Sequence, residues 1–136
     1  MSDDFRIEEL PEHECWEMLD RVRFGRLAMA PMGDPDIFPV NFLVDGTTLL
    51  MRTAAGTKLA NIVVNAAVAV ESDGIDGDVA WSVIAKGRAR MVSSFTEIYA
   101  MDEKHLKSWL PTDKPIYVEI TVESISGRRF FRGAAV

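Results

Sequence analysis

Apolar and polar residues alternate most regularly between residues 79 and 92. Val79, Trp81, Val83, Ala85, Gly87, Ala89 and Met91 fall on one side, and Ser82, Lys86, Arg88 and Arg90 on the other. A period of two is that of an extended strand with one wet face. The segment IFPVNFLV at 37–44 is almost wholly apolar and runs into Asp45-Gly46, a favoured hairpin turn, so residues 47–53 form its returning strand. Shorter strands are expected at 26–31, 66–71, 115–123 and 128–132, with MGDPD at 32–36 as a turn and SDGIDGD at 72–78 as a loop.

Three segments follow a helical period instead. EHECWEMLDRV at 12–22 puts Trp16 and Leu19 on one face, with Cys15 and Val22 beside them, and Gly25 just beyond suits a helix end. KLANIVVN at 58–65 brings Leu59, Ile62 and Val63 together. Ser94 and Glu97 form a capping box for a helix that Pro111 stops near Leu110. The first dozen residues read as an arm. Six or seven strands in hairpin order, with short helices between, predict an α+β but mainly β fold. The expected architecture is an antiparallel, Greek-key-like barrel with helices packed outside.

The totals narrow the class. A chain of 136 residues with 48% hydrophobic content suits one domain, here residues 1–136, with a modest core that gains by pairing with a second copy. No apolar run approaches the roughly 18 residues of a membrane span. The start MSDDFRIEEL is acidic and polar, unlike a secretory signal, and the single Cys15 has no internal disulfide partner. Both point to a cytoplasmic protein. A formal charge of −6 argues against general nucleic-acid binding but leaves room for a local anion site.

That site is suggested by LLMRTAAGTKLANI at 49–62, where a strand gives way to a helix. The first N–H groups of a helix have no internal partner and carry the positive end of its dipole. Gly56 permits close approach, Thr57 offers a hydroxyl and Lys58 a charge. Arg52 adds a forked donor suited to phosphate, and Thr53 a second hydroxyl. Spacing excludes a P-loop and a dinucleotide fingerprint. From the residues alone two readings stand: an anion notch, or a solvated strand end followed by an ordinary helix cap.

Other groups are less pointed. His13 and His105 read as surface residues, and neither a metal-binding pattern nor a nucleophile elbow is present. Cys15 beside Trp16 reads as a buried structural thiol. Lys86, Arg88 and Arg90 form either a solvated stripe or a contact for a cofactor tail or partner. Pro39, lacking an N–H, belongs on an edge strand or at a bulge.

The ordered series CWEMLDRVRFGRLA at 15–28, IFPVNFLVDGTTLLMRTAAGTKLANI at 37–62 and WSVIAKGRARMV at 81–92 resembles the pyridoxamine 5'-phosphate oxidase-like family, the flavin-binding split barrels. The chain is most similar to short bacterial members. The resemblance implies a homodimer with FMN at each subunit interface. It implies that Arg52, Thr53, Thr57 and Lys58 hold the phosphate, and that the ring lies along Pro39, Val40 and Asn41. It places Trp81 and Ser82 at further cofactor contacts, often from the partner subunit. The full-length oxidases carry a further C-terminal basic and aromatic motif, and this chain ends at FFRGAAV, with Arg132 the one candidate substitute. Vitamin B6 oxidation therefore does not follow from the likeness. Expected alternatives are the deazaflavin F420 with Lys86 and Arg88 on its tail, a nitroimidazole reductase-like enzyme, and a non-catalytic flavin or haem carrier. No catalytic residue is named, because a flavin supplies its own redox chemistry.

Overall fold

The computed structural model describes residues 5–54, 66–92 and 115–132. The helices expected at 58–65 and 94–110 lie outside the described residues. In chain order the elements are strand β1 (Phe5–Glu9), helix α1 (Glu12–Val22), β2 (Phe24–Met29), a 3-10 turn (Pro31–Gly33), β3 (Asp36–Asn41), β4 (Leu43–Asp45), β5 (Thr48–Ala54), β6 (Ala66–Asp76), β7 (Val79–Met91) and β8 (Pro115–Arg132). The strands form one sheet in the order β3-β2-β6-β7-β8-β5-β4, with β1 added alongside β8. Every ladder is antiparallel. The sheet curls into the half-barrel of a split-barrel fold, as the alternation predicted.

Alternation decides which face curls inward. Leu27 and Met29 on β2, Val68 and Val70 on β6, Val83, Ala85 and Ala89 on β7, and Val118 and Ile120 on β8 all point into one core. Helix α1 closes one end with Cys15, Met18 and Leu19 buried. Cys15 is the buried thiol expected, and burial followed by the nearby carboxylates Glu12 and Glu14 raises its pKa. Its Sγ donates to the Leu10 carbonyl at 3.8 Å. A second small cluster, Leu50, Tyr117, Val92 and Leu43, packs apart from this core.

The apolar segment 37–44 makes the split. It is one extended run that changes partners. Asp36–Asn41 pairs with β2, whereas Leu43–Asp45 pairs with β5. Phe42 lies at the change-over, only 1% exposed, and its N–H donates to the Arg23 carbonyl at 3.1 Å. β3 therefore comes close to β5, yet no ladder joins them among the described residues. The turn that follows β4 is the one expected, with Gly46 at φ 61°.

Four expectations need correcting. The N-terminal arm contains β1, paired with the last strand from Phe5↔Arg132 to Glu9↔Arg128. The 72–78 loop is mostly strand: β6 runs to Asp76 because its polar residues are paired with β7. The strands at 115–123 and 128–132 are one strand, β8, long enough to serve β5, β7 and β1 together. The end of α1 is made by Arg23 rather than Gly25. Arg23 takes the left-handed conformation (φ 58°), its N–H reaches Leu19 O at 2.9 Å, and its guanidinium reaches back to Asp20 O at 2.7 Å.

Gly87 sits at a register shift between β7 and β8, where a Cβ would overlap the Thr121 carbonyl oxygen. We expect Gly87→Ala to destabilise the chain by about 1–3 kcal/mol, the range for overpacking a tight site. Lys86→Ala next to it should stay within about 0.5 kcal/mol. Urea unfolding of the two variants checks this, and equal midpoints would refute the close approach.

Candidate functional site

β3 is an edge strand with β2 as its one ladder partner among the described residues. Pro39 can sit there because an edge strand need not donate on both sides. Pro39 faces out and is exposed, and stands opposite Arg26. Val40 turns its side chain inward, 7% exposed, so only its backbone can meet a ligand. Asn41 is half-buried at the point where the chain leaves β2.

Arg52 comes from the other side of the split. It lies in β5 opposite Tyr117, next to the Leu50–Tyr117–Val92 cluster, half-buried with its Nε shielded from solvent. The β4–β5 register pairs Leu43 with Leu50. Before the change-over, β3 also approaches β5 across the split. The curl thus brings β3, which carries residues 39–41, and β5, which carries Arg52, to one seam. Thr53 follows in β5 opposite Ile116. Thr57 and Lys58 lie outside the described residues, so the strand half of the expected notch is in view and its helix half is not.

Trp81 and Ser82 lie on β7, three strands from β3 and two from β5 in the sheet order. Trp81 is half-buried and packs against the core, its indole lying over Gly74, the residue opposite it in β6. A Cβ at Gly74 would stand 2.7 Å from the indole nitrogen, so the glycine makes room for the ring. Ser82 faces the other way, into a depression it shares with Ser126 and Arg128.

The basic stripe is divided. Arg90 is tied to Glu119 at 3.0 Å. Lys86 borders a groove of about 620 Å³ on the outer face with Ala28, Ile37, Ala67, Ala69 and Asp36. Ile37 stands 63% exposed on its wall. His13 is exposed, as expected, and His105 lies outside the described residues.

One group had no signal in the sequence. Arg26 Nη1 bonds Glu71 Oε1 at 2.8 Å and Asp73 Oδ2 at 3.3 Å, next to Pro39 on the outer face. The partners are 45 and 47 residues along the chain, and only the β2–β6 register joins them. Burial, and then a hydrogen bond with Asp73, raises the Glu71 pKa above the ordinary carboxylate range. The bond to Glu71 raises that of Arg26. Arg26 is consequently committed to carboxylates, while Arg52 is the arginine placed at the seam.

Comparison with known proteins agrees with this architecture. Residues 11–129 match the family described as pyridoxamine 5'-phosphate oxidase. An uncharacterised protein of Mycobacterium tuberculosis H37Rv is 36% identical over 88 residues, covering 65% of this chain and 80% of that protein. The crystal structure of an FAD-binding protein from Mycobacterium smegmatis superimposes with a TM-score of 0.81 at 37% identity, covering 93% of this chain and all of that one. A Mesorhizobium loti FAD-binding protein shares the fold at TM-score 0.79 and 24% identity, covering 93% and 98%.

The Glu71 carboxyl gives a pH signature. A carboxyl whose folded pKa is raised stabilises the fold while protonated. That contribution is complete below its unfolded pKa, about 4.3, and is lost as pH climbs through the folded value. Relative to Glu71→Gln, the natural protein should therefore lose stability as pH rises from about 4 upward. Urea midpoints of the pair at pH 4 and pH 7 check the sign; a gap moving the other way would rule out burial as the dominant influence on Glu71.

Proposed function

The chain belongs to the pyridoxamine 5'-phosphate oxidase family, and we propose from that premise that it is a flavin-dependent oxidoreductase which holds its cofactor at the split between β3 and β5. The observation that carries the reading is the position of Arg52, a half-buried residue on β5, which approaches across the seam a strand with one ladder partner among the described residues. The near-full-length likeness to the Mycobacterium smegmatis FAD-binding protein supports the choice of ligand.

The residues fit a flavin nucleotide. Arg52 offers a forked donor to the phosphate nearest the ribityl chain, and Thr53, Thr57 and Lys58 follow it in the sequence. Along the outer side of β3, the alternate backbone groups of the Pro39–Asn41 stretch that point away from β2 can meet the polar rim of a ring. FMN is the smallest ligand with both parts; FAD shares them and adds an adenylate. When bound, the flavin would supply the electron transfer. The protein's part is placement. Arg52 would offset phosphate charge and donors along β3 would favour negative charge on the reduced ring, while the Arg26–Glu71–Asp73 group lies next to Pro39 on the outer face.

We infer a homodimer in which Trp81 and Ser82 of one copy meet the cofactor of the other, a reading supported by their distance from both lips of the seam within one chain, three strands from β3 and two from β5. Sedimentation should give twice the chain mass of 15.2 kDa, and a monomer at micromolar concentration would remove Trp81 and Ser82 from the cofactor site.

Titration with FMN and FAD tests the central reading. Arg52→Ala and Lys58→Ala should each weaken binding roughly tenfold or more, since a charge-assisted phosphate contact is worth about 1.5–3 kcal/mol. The variants should keep their oligomeric state. Natural affinity in both variants, or no binding of either flavin by the natural protein, would overturn the proposal.

A further inference from the structure

Building on the flavin site proposed above, we propose that Glu71 is the group that compensates charge when the flavin is reduced, taking a proton from water as the ring becomes negative. Arg26 and Asp73 position it. The register sets these three residues between the two cofactor contacts of the dimer. Arg26 stands directly opposite Pro39 on one side and Glu71 on the other. Asp73 stands directly opposite Ser82, the residue that would meet the partner copy's flavin. At about 4.8 Å per strand, Glu71 is roughly 10 Å from Pro39, and Asp73 about 5 Å from Ser82. Both contacts therefore lie within about one screening length of the group's charge.

The cluster is built to hold one exchangeable proton. Arg26 Nη1 donates to Glu71 Oε1 at 2.8 Å and to Asp73 Oδ2 at 3.3 Å, and Glu71 and Asp73 share a hydrogen bond. Ionised carboxylates only accept, so a bond between two of them needs a proton on one. Burial, and then that bond, favour the protonated form of Glu71. With its proton the cluster is neutral, because Arg26 offsets Asp73. Without it the cluster carries one net negative charge. Its immediate neighbours, Phe24 on β2, Pro39 on β3, and Ser82 and Ile84 on β7, are uncharged. The other charges on this face stand farther off: Lys86, two residues beyond Ile84, and Arg128 and Glu9, which face each other on β8 and β1 beyond Ser82. An ionised cluster opposes a negative ring, and a negative ring draws a proton onto Glu71. The step balances: two electrons from a donor such as dithionite enter with two protons from water, one for the ring and one for Glu71.

Midpoint potentials of the full chain, loaded with whichever of FMN and FAD it binds more tightly and reduced with dithionite between pH 5 and pH 8, test this role. Protonated Glu71 should favour the reduced over the oxidised flavin roughly fivefold relative to ionised Glu71, the effect of one charge at about 10 Å in a partly wet site. For a two-electron couple, at about 30 mV per tenfold, that is about 20 mV. Glu71→Gln and Asp73→Asn each remove one negative charge, so both should raise the potential by this amount at pH 8. The gap from the natural protein should close toward pH 5, where Glu71 takes its proton. By reciprocity, the carboxyl-carbon NMR titration of Glu71 in the natural protein should move to higher pH by the same factor in proton affinity once the bound flavin is reduced. That measurement needs no variant and covers the case of either substitution failing to fold. A Glu71 titration that does not move, no gap in potential, or a gap equal at every pH would overturn the role of Glu71 while leaving the flavin site standing. No binding of either flavin by the natural protein would overturn both.

Discussion

The structure depends on one segment being shared between two strand partners. Residues 36–45 cannot pair with β2 and β5 along their whole length, because those strands lie at opposite ends of the sheet order. Burying Phe42 fixes the point of change. A large aromatic ring removed from water is worth on the order of 2–3 kcal/mol. Moving the change-over by one residue would turn Phe42 outward and Asn41 or Leu43 inward. The curl and the approach of β3 to β5 both follow from that anchoring.

The same constraint separates the outer face into regions with different chemistry. Near the split, Arg26 is consumed by Glu71 and Asp73, while Arg52 stands beside an apolar cluster at the seam. Farther round, Lys86 overlooks a groove of alanines and Ile37. Beyond it, Arg128 stands between two serines and two apolar side chains. A chain of net charge −6 can therefore present separate cationic points. Short-range placement governs each of them, since charge beyond about 10 Å is largely screened in physiological salt.

Long pairing also explains why polar stretches became strand. SDGIDGD at 72–78 has the composition of a loop, but Ser72 is buried and its Oγ donates to the Phe24 carbonyl at 2.7 Å. Its neighbours are held in register with β7 as far as Asp76↔Val79. At 124–127, the composition SISG hides a strand in the same way, because those residues pair with Lys86 to Val83 of β7 between the stretches of β8 that meet β5 and β1. Neighbouring strands satisfied backbone groups that local composition left open.

By itself the sequence determined what depends on near neighbours. Alternation at 79–92 made β7 with the faces it has, the period in 12–22 made α1 with Cys15 and Leu19 inward, Asp45-Gly46 made the hairpin, and Pro39 marked an edge. The ordered motifs also carried the family. Tertiary structure alone decided what depends on register between distant strands: Arg26 with Glu71, Ser82 with Arg128, and β3 brought close to β5. The reason is physical. Side-chain period is a local property of an extended or helical backbone. Which residues meet across strands is set by the common burial of a core drawn from the whole chain.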